Sequence, residues 1–398
     1  WYDTAWAIGA VITAFLAVRY LRNSGYSTIS ALVNEMYGKK TSFIMVISMC
    51  IIQSGIIALQ YKAGGSILAA LLPDVFTTES GTFFSFLIFM LVAMIGGMGS
   101  VSLTNVLNLI LIYVGVIVAT VIVLNNHGGW DAIQTLVAAE PDVPYLSFTE
   151  GMGWIGILSW VIVMIGNTNS VQGVVQIGLT GKDDRSAKWG YIIGAAFMVP
   201  VGFICALLGV ASKALLPDAV AAEALPQILM SIPPVLGGIT LSGLWAADMG
   251  TGCSMIVGLA TTVSSDIVYR LPSSKKLESR KSFVNKLIVV LSSIVTYLIA
   301  TQMGAILSAM QQALSLAIGT SFIVIGALIA PKFTSKKAGF CTILASIVAI
   351  ILWNFVPSLT GIFKSVGIFM VIVCGVVFVV ISAFDKDKVN VKKELMRS

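Results

Sequence analysis

A chain of 398 residues with 57% hydrophobic and only 11% charged residues, at a mean hydropathy of +0.96, is not a soluble domain of ordinary composition, in which about a quarter of residues are charged. The net charge of +6 falls in the connections between apolar runs, so it marks topology and gives no sign of nucleic-acid binding. The five cysteines, Cys50, Cys205, Cys253, Cys341 and Cys374, sit inside apolar runs at no ligand spacing, and imply neither a disulfide framework nor a metal site.

Crossing a hydrocarbon core of roughly 30 Å takes about 20 helical residues. Eleven runs meet that need: 3–21, 42–59, 82–98, 103–124, 151–179, 189–215, 234–263, 283–301, 305–330, 338–355 and 362–384. Lipid cannot satisfy bare backbone groups, and the runs are too long and too uniformly apolar for barrel strands, so they predict helices. The chain is expected to form one transmembrane domain over residues 1–398, closing in a basic tail at 385–398.

Every second connection is rich in Lys and Arg: Arg19, Arg22, Lys39 and Lys40; Lys182, Arg185 and Lys188; Arg270 to Lys286; Lys332, Lys336 and Lys337; and the tail. The alternate connections carry Asp74, Glu79, Asp131, Glu140, Asp142, Glu150, Asp218 and Glu223, interrupted only by Lys62, Lys213 and Lys364. The positive-inside rule then puts the basic connections and the C-terminus in the cytoplasm of a plasma membrane. Eleven crossings place Trp1 outside, directly on a helix, so further N-terminal residues are expected to be missing. The amphipathic stretch 26–37 predicts a short helix along the cytoplasmic interface. Gly96-Gly97-Met98-Gly99-Ser100 predicts a tight cytoplasmic turn.

As one straight helix the fifth run would reach about 43 Å and overshoot the bilayer. A break is expected at Gly166-Asn167-Thr168-Asn169-Ser170, where consecutive polar side chains can replace lost helical hydrogen bonds. Discontinuous helices at the midplane build binding sites in many secondary transporters. The alternative is a polar seam between helices.

The seventh run holds a lone acid, Asp248, with no basic residue at mid-span. An intramembrane carboxylate costs on the order of 2.5–3.5 kcal/mol on insertion scales and faces a cavity or a partner. Either a bound cation or a proton neutralises it. Helical spacing gathers Ala247, Gly250, Thr251 and Ser254 on one face, with Asp248 about 60° from Thr251. Oxygen ligands of this kind suit a hard monovalent cation. The alternative is a carboxyl hydrogen-bonded to a neighbouring helix without a part in transport.

Asn105, Asn108, Gln53, Gln60, Gln311 and Gln312 are further polar residues within the runs, each alone more often helix glue than ligand. His127, the only histidine, lies in an outer loop, which excludes a histidine proton relay in the membrane. No P-loop, metal-ligand cluster or nucleophile–base pair occurs, so neither ATP-driven work nor an intramembrane enzyme has positive support.

Three motifs in order resemble the sodium/solute symporters, a family that includes proline, pantothenate, sialic acid and sodium/glucose carriers. Gly96 to Asn108 is similar to its Gly-Gly turn and Thr-Asp-x-x-Gln helix start. Val175 to Asp183 resembles its Gln-Arg-x-x-Ala-Ala-Lys-Asp signature, and Ala246 to Asp266 its Ala-Ala-x-x-Ser-Thr helix ending in Asp. The resemblance covers essentially the whole chain. It implies an all-α polytopic protein with the leucine-transporter-type inverted repeat, about eleven helices present of an expected thirteen. The first run then corresponds to the second core helix, and the fifth to the second broken helix.

The resemblance also implies a sodium site with ligands at Ala247, Gly250 and Thr251, completed by a first core helix absent from this sequence. Gly250 stands where the family usually has Ser, Asn105 where an Asp can serve a second sodium site, and Ile177 where the signature has Arg. These departures leave the coupling ion open between sodium and a proton, with Asp248 as the charge that replaces the one lost at Asn105. For the solute, the resemblance implies a central cavity with Gln53, Asn167, Asn169, Gln172 and Gln311 as contacts. Their neutral amides suit hydroxyl, carboxylate or amide groups of a small organic solute.

The expected activity is cation-coupled import of such a solute by alternating access, with the lipid bilayer, the solute and Na+ or H+ as partners and no other cofactor. The alternatives are a proton-coupled carrier of the same fold, or a solute sensor that no longer transports.

Overall fold

A computed structural model describes residues 1–23, 25–26, 28–138, 144–179, 181–221, 223–269, 280–302 and 306–390. Glu140 and Asp142, the basic stretch 270–279, the tail beyond residue 390 and the side chains of Asn105 and Ile177 lie outside the described parts.

The described chain is almost wholly helical. Nine of its segments are long and apolar enough to cross a membrane, and they coincide with nine of the eleven runs. The other two runs are interrupted helices. Residues 3–21 form α1 (Tyr2–Leu16) and α2 (Val18–Asn23), and residues 151–179 form α7 (Gly153–Ser170) and α8 (Gln172–Leu179).

Between them come α3 (Ile29–Tyr37), α4 (Lys39–Leu71), α5 (Thr78–Asn126) and α6 (Gly129–Ala138). Thr28 caps α3 by accepting from the Ala31 N–H at 3.2 Å, which satisfies a donor the first turn leaves free. The short helix expected at 26–37 is therefore present, with its apolar stripe turned to protein. Ile29, Leu32, Val33, Met36 and Tyr37 are buried in a cluster with residues of α4 and beyond, because its apolar stripe finds protein rather than lipid.

Helix α4 runs past the predicted end at residue 59. Tyr61 is fully buried against the rings of Phe86 and Phe89, so the polar Gln60-Tyr61-Lys62 step is spanned by packing. With 72% of its apolar window buried, α4 is the central shaft.

Helix α5 contains two predicted runs in one element of 49 residues. Trp245 donates to Ser85 at 3.2 Å, while Gly243, two residues away, closes on Leu111. A straight helix would separate Ser85 and Leu111 by roughly 39 Å, so the chain doubles back between them. The reversal agrees with the sequence, and the turn expected at residues 96–100 lies in a stretch whose side chains are outside the described parts.

The second half comprises α9 (Asp184–Leu215), α10 (Ala224–Met230), α11 (Pro234–Thr262) with a π-helical extension at Val263–Val268, α12 (Lys281–Gln302), α13 (Ile306–Ser315), α14 (Ala317–Ile329), α15 (Lys336–Phe355), α16 (Ser358–Phe363) and α17 (Val366–Phe384). Only 11% of the apolar window of α9 is buried, so this helix faces outward. Backbones approach closely where glycine allows it, as between helices in membranes generally. A Cβ on Gly9 would stand 2.7 Å from the Met164 carbonyl of α7, and one on Gly81 of α5 2.7 Å from the Gly65 carbonyl of α4.

Candidate ion and solute site

The helix break falls at Val171, which is extended (φ −81°, ψ 122°), one residue after the predicted polar cluster. Asn167, Thr168, Asn169 and Ser170 remain helical and buried. Their side chains return to backbone carbonyls one turn earlier: Asn167 to Val163 (2.8 Å), Thr168 to Met164 (3.0 Å), Asn169 to Ile165 (2.5 Å) and Ser170 to Gly166 (2.5 Å). The last turn is thus reinforced by side chains, and the chain breaks where that support stops.

The same amides reach across to α13 and α14. Asn167 donates to the Leu314 carbonyl at 3.0 Å and Asn169 to Ser321 at 3.1 Å. The Oδ1 atoms of both are sealed from solvent without a hydrogen-bond partner among the described residues. Two buried carbonyl oxygens left bare are costly, and suit a donor or cation that arrives from elsewhere.

On α11, Thr251 donates to the Ala247 carbonyl at 3.3 Å and Ser254 to the Gly250 carbonyl at 2.8 Å. Hydroxyl and carbonyl oxygens therefore stand together on one face. Thr251 opens onto a cavity of about 730 Å³ between α1, α4, α8, α9, α11 and α13. Its wall is mostly apolar, with Trp6, Ile56 and Met255, and carries polar groups from Gln60, Thr168 and Thr251. Among the described residues no Asp, Glu, Lys or Arg lines it.

Asp248 points elsewhere. Its Oδ2 is sealed and without a hydrogen-bond partner among the described residues. A Cβ on Gly64 of α4 would stand 2.9 Å from that oxygen and 2.7 Å from the Ser85 hydroxyl of α5. The carboxylate is thus wedged between α4 and α5, in the slot that Gly64 leaves.

Residues 1–345 match the profile of the sodium:solute symporter family. The chain belongs to the sodium:solute symporter family. It is also similar to a Na+-coupled sialic acid symporter solved in a substrate-bound outward-open state, with a TM-score of 0.76 and 17% identity, over 98% of this chain and 84% of that one. A nucleobase-cation-symport-1 family transporter, Mhp1, solved closed with bromovinylhydantoin bound, matches with a TM-score of 0.58 and 16% identity, over 94% of this chain and 84% of that one. The fold is the leucine-transporter-type inverted repeat, and this symporter is a multi-pass membrane protein built for secondary active transport.

Of the expected sodium ligands of this symporter, Ala247 and Thr251 meet through one hydrogen bond, and Gly250 is buried beside them. The expected solute contacts are distributed over the inner seams of the bundle. Gln53 is fully buried, with Oε1 unpartnered among the described residues and 2.8 Å from where a Gly258 Cβ would stand. The Gln172 carbonyl oxygen accepts from the Ile29 N–H at 3.0 Å. Gln311 donates to Ser159 at 3.3 Å.

Sequence reasoning missed Gly64 and Ser85 as neighbours of Asp248, since nothing in their own segments marks them. It also missed Arg22, which was counted only as a topology charge. Its guanidinium pairs with Asp184 at 2.9 Å and donates to the carbonyls of Gly178, Leu179 and Gly181, pinning the C-terminal end of the broken helix where its free carbonyls need donors. Beside it Asp183 caps α9 through the Ser186 N–H at 2.6 Å.

Proposed function

We propose that this symporter imports a small polar organic solute by alternating access, driven by sodium bound on the Thr251 face of α11, with its C-terminus in the cytoplasm. The observation that carries the reading is the meeting of the Ala247 carbonyl and the Thr251 hydroxyl at the edge of a cavity without charged walls among the described residues. A hard monovalent cation takes oxygen ligands, and a bound cation there raises the affinity for solute in the adjoining space, a linkage that is reciprocal. Thr168 and Gln60 line the same cavity and supply hydrogen bonds, while the bare amide oxygens of Asn167 and Asn169 supply acceptors deeper in the bundle.

Asp248 favours a second reading. Its unpartnered oxygen is directed to Gly64 and Ser85 instead of the cavity, an arrangement in which a proton is a closer fit than sodium. The deciding experiment is thermal unfolding of the purified protein over a sodium titration at fixed ionic strength, with potassium as the replacement. Saturable stabilisation, about 2.7 kcal/mol at a hundredfold excess over Kd, that is lost in Thr251→Val supports sodium coupling. Absence of any sodium response, with a pH response that Asp248→Asn abolishes, replaces it with proton coupling. A protein that binds solute yet accumulates none in vesicles under either gradient is a sensor.

A further inference from the structure

Past α17 the chain turns from helix to extended backbone at Asp385 (φ −84°, ψ 133°) and runs back along the connection between α14 and α15. Ser335 and Lys388 form an antiparallel β-bridge. Across it the Lys336 N–H donates to the Asp387 carbonyl at 2.9 Å and the Val389 N–H to the Thr334 carbonyl at 3.0 Å. Lys388 donates to the carbonyls of Phe333 and Ser382 at 2.9 and 2.5 Å. Two ion pairs flank the bridge, Lys336 with Asp387 at 3.0 Å and Lys337 with Asp385 at 3.5 Å. This strap lies outside the residues that match the family profile.

The strap fastens a junction of several helices. Ser335 caps α15 by accepting from the Ala338 N–H at 3.1 Å, and its own N–H donates to Ser382 of α17 at 3.4 Å. Val389, only 6% exposed, joins the core cluster that holds Met36 of α3, Val175 of α8 and Ile323 of α14. The Tyr37 hydroxyl of α3 donates to the Ile323 carbonyl, and Ser321 of α14 meets Asn169 of the broken helix at 3.1 Å. The strap therefore bears on α3, α14 and the broken helix together.

Its hold is light. Val389 is the one buried side chain among residues 385–389, and the ion pairs stand at the surface, with Lys337 76% and Asp387 59% exposed. Such pairs contribute little and are screened by salt. A segment with so few buried contacts opens locally well below the free energy that unfolds the helices it touches.

We infer that residues 385–389 are a releasable clasp. Engaged, it holds α3 and α14 against the broken helix; released, it frees that end of the bundle to open. Raised ionic strength shifts it toward release, because the ion pairs are the part of its hold that salt weakens.

The test is amide exchange of the full-length protein in lipid nanodiscs, in sodium-free potassium buffer, so that the outcome does not depend on the coupling ion. Raising KCl from about 20 to about 500 mM should quicken exchange over residues 29–37 and 172–179 as well as 330–339, by about threefold or more. At low salt Val389→Ala should quicken the same three stretches by about tenfold, and Val389→Ile should leave them unchanged. Lys336→Cys combined with Asp387→Cys places thiols opposite each other across the bridge, where oxidation can lock the strap. The oxidised form should exchange slowly over 29–37 and 172–179 at either salt, and reduction should quicken both. Oxidised and reduced forms share one sequence, so a fold weakened by the substitutions does not imitate this contrast. Equal exchange in the two forms, or a Val389→Ala effect confined to 330–339, overturns the inference and leaves the strap a plain brace for the start of α15.

Discussion

The Gln172 side chain, first residue after the helix break, accepts a hydrogen bond from the backbone N–H of Ile29 at the start of α3, at 3.0 Å. Thr28, the cap of α3, bonds Asp266 at 3.3 Å in the π-helical end of α11. Helix α3 is thereby tied to both the broken helix and α11. Removing the acceptor in Gln172→Ala leaves a buried N–H bare, at a cost of about 1–3 kcal/mol. Amide exchange over residues 29–37 should quicken by roughly tenfold or more, and exchange unchanged from the wild type counts against the tie.

Arg22 holds three carbonyls and one carboxylate at the C-terminal end of α8. The ion pair itself is partly exposed and contributes little, about 0–1 kcal/mol; the carbonyl contacts need the planar fork of donors that Lys lacks. Arg22→Lys and Arg22→Ala should therefore both raise labelling of a cysteine placed at Gly178 by a membrane-impermeant reagent. Full protection in Arg22→Lys would show that charge alone suffices.

Gly81 and Gly65 set the distance between α4 and α5 by backbone contact. Gly81→Val drives a branched side chain into the Gly65 carbonyl, and overpacking of this kind costs about 1–3 kcal/mol. A lowered midpoint of thermal unfolding in detergent is expected. Gly190→Ala, where a Cβ meets nothing within 4 Å, is the control that should leave it unchanged.

Asp183 caps α9, and the Ser186 backbone N–H, then the Ser186 side chain, hold its carboxyl below the usual carboxylate range. A depressed native pKa means that the cap stabilises above the unfolded value of about 3.9 and is lost as pH falls through the lower native value. Thermal unfolding of Asp183→Ala should fall below wild type at pH 6, and the two curves should converge under strong acid. A gap that stays constant to pH 2 would assign the effect to something other than the carboxylate.

The positions of the helices were legible because lipid imposes length and apolarity on each crossing, and those are properties of consecutive residues. So was the interruption of the fifth run, where length alone demanded it. Its position moved to Val171 because the Asn and Thr side chains, expected to replace broken bonds, instead strengthen the last turn. The burial of α3 and the orientation of Asp248 were not legible. Both depend on which surface of another helix lies opposite, and the gap that receives Asp248 is marked only by the absence of a side chain at Gly64. Thr251 was found by helical spacing, since the face it shares with Ala247 lies within one turn of one helix.

The doubling back of α5 has a mechanical consequence. Its outgoing limb meets α11 at Trp245 and its returning limb at Gly243, so α11 is gripped like an axle in a forked bearing and cannot roll without carrying both limbs. The α1 and α7 pair is packed closely as well, through Thr13 and Thr168 at 2.8 Å, the backbone contact at Gly9 and the Tyr2 and Trp160 rings at 5.2 Å. With α1 seated on α7 in the same way, each pair has to move as one body in any rearrangement.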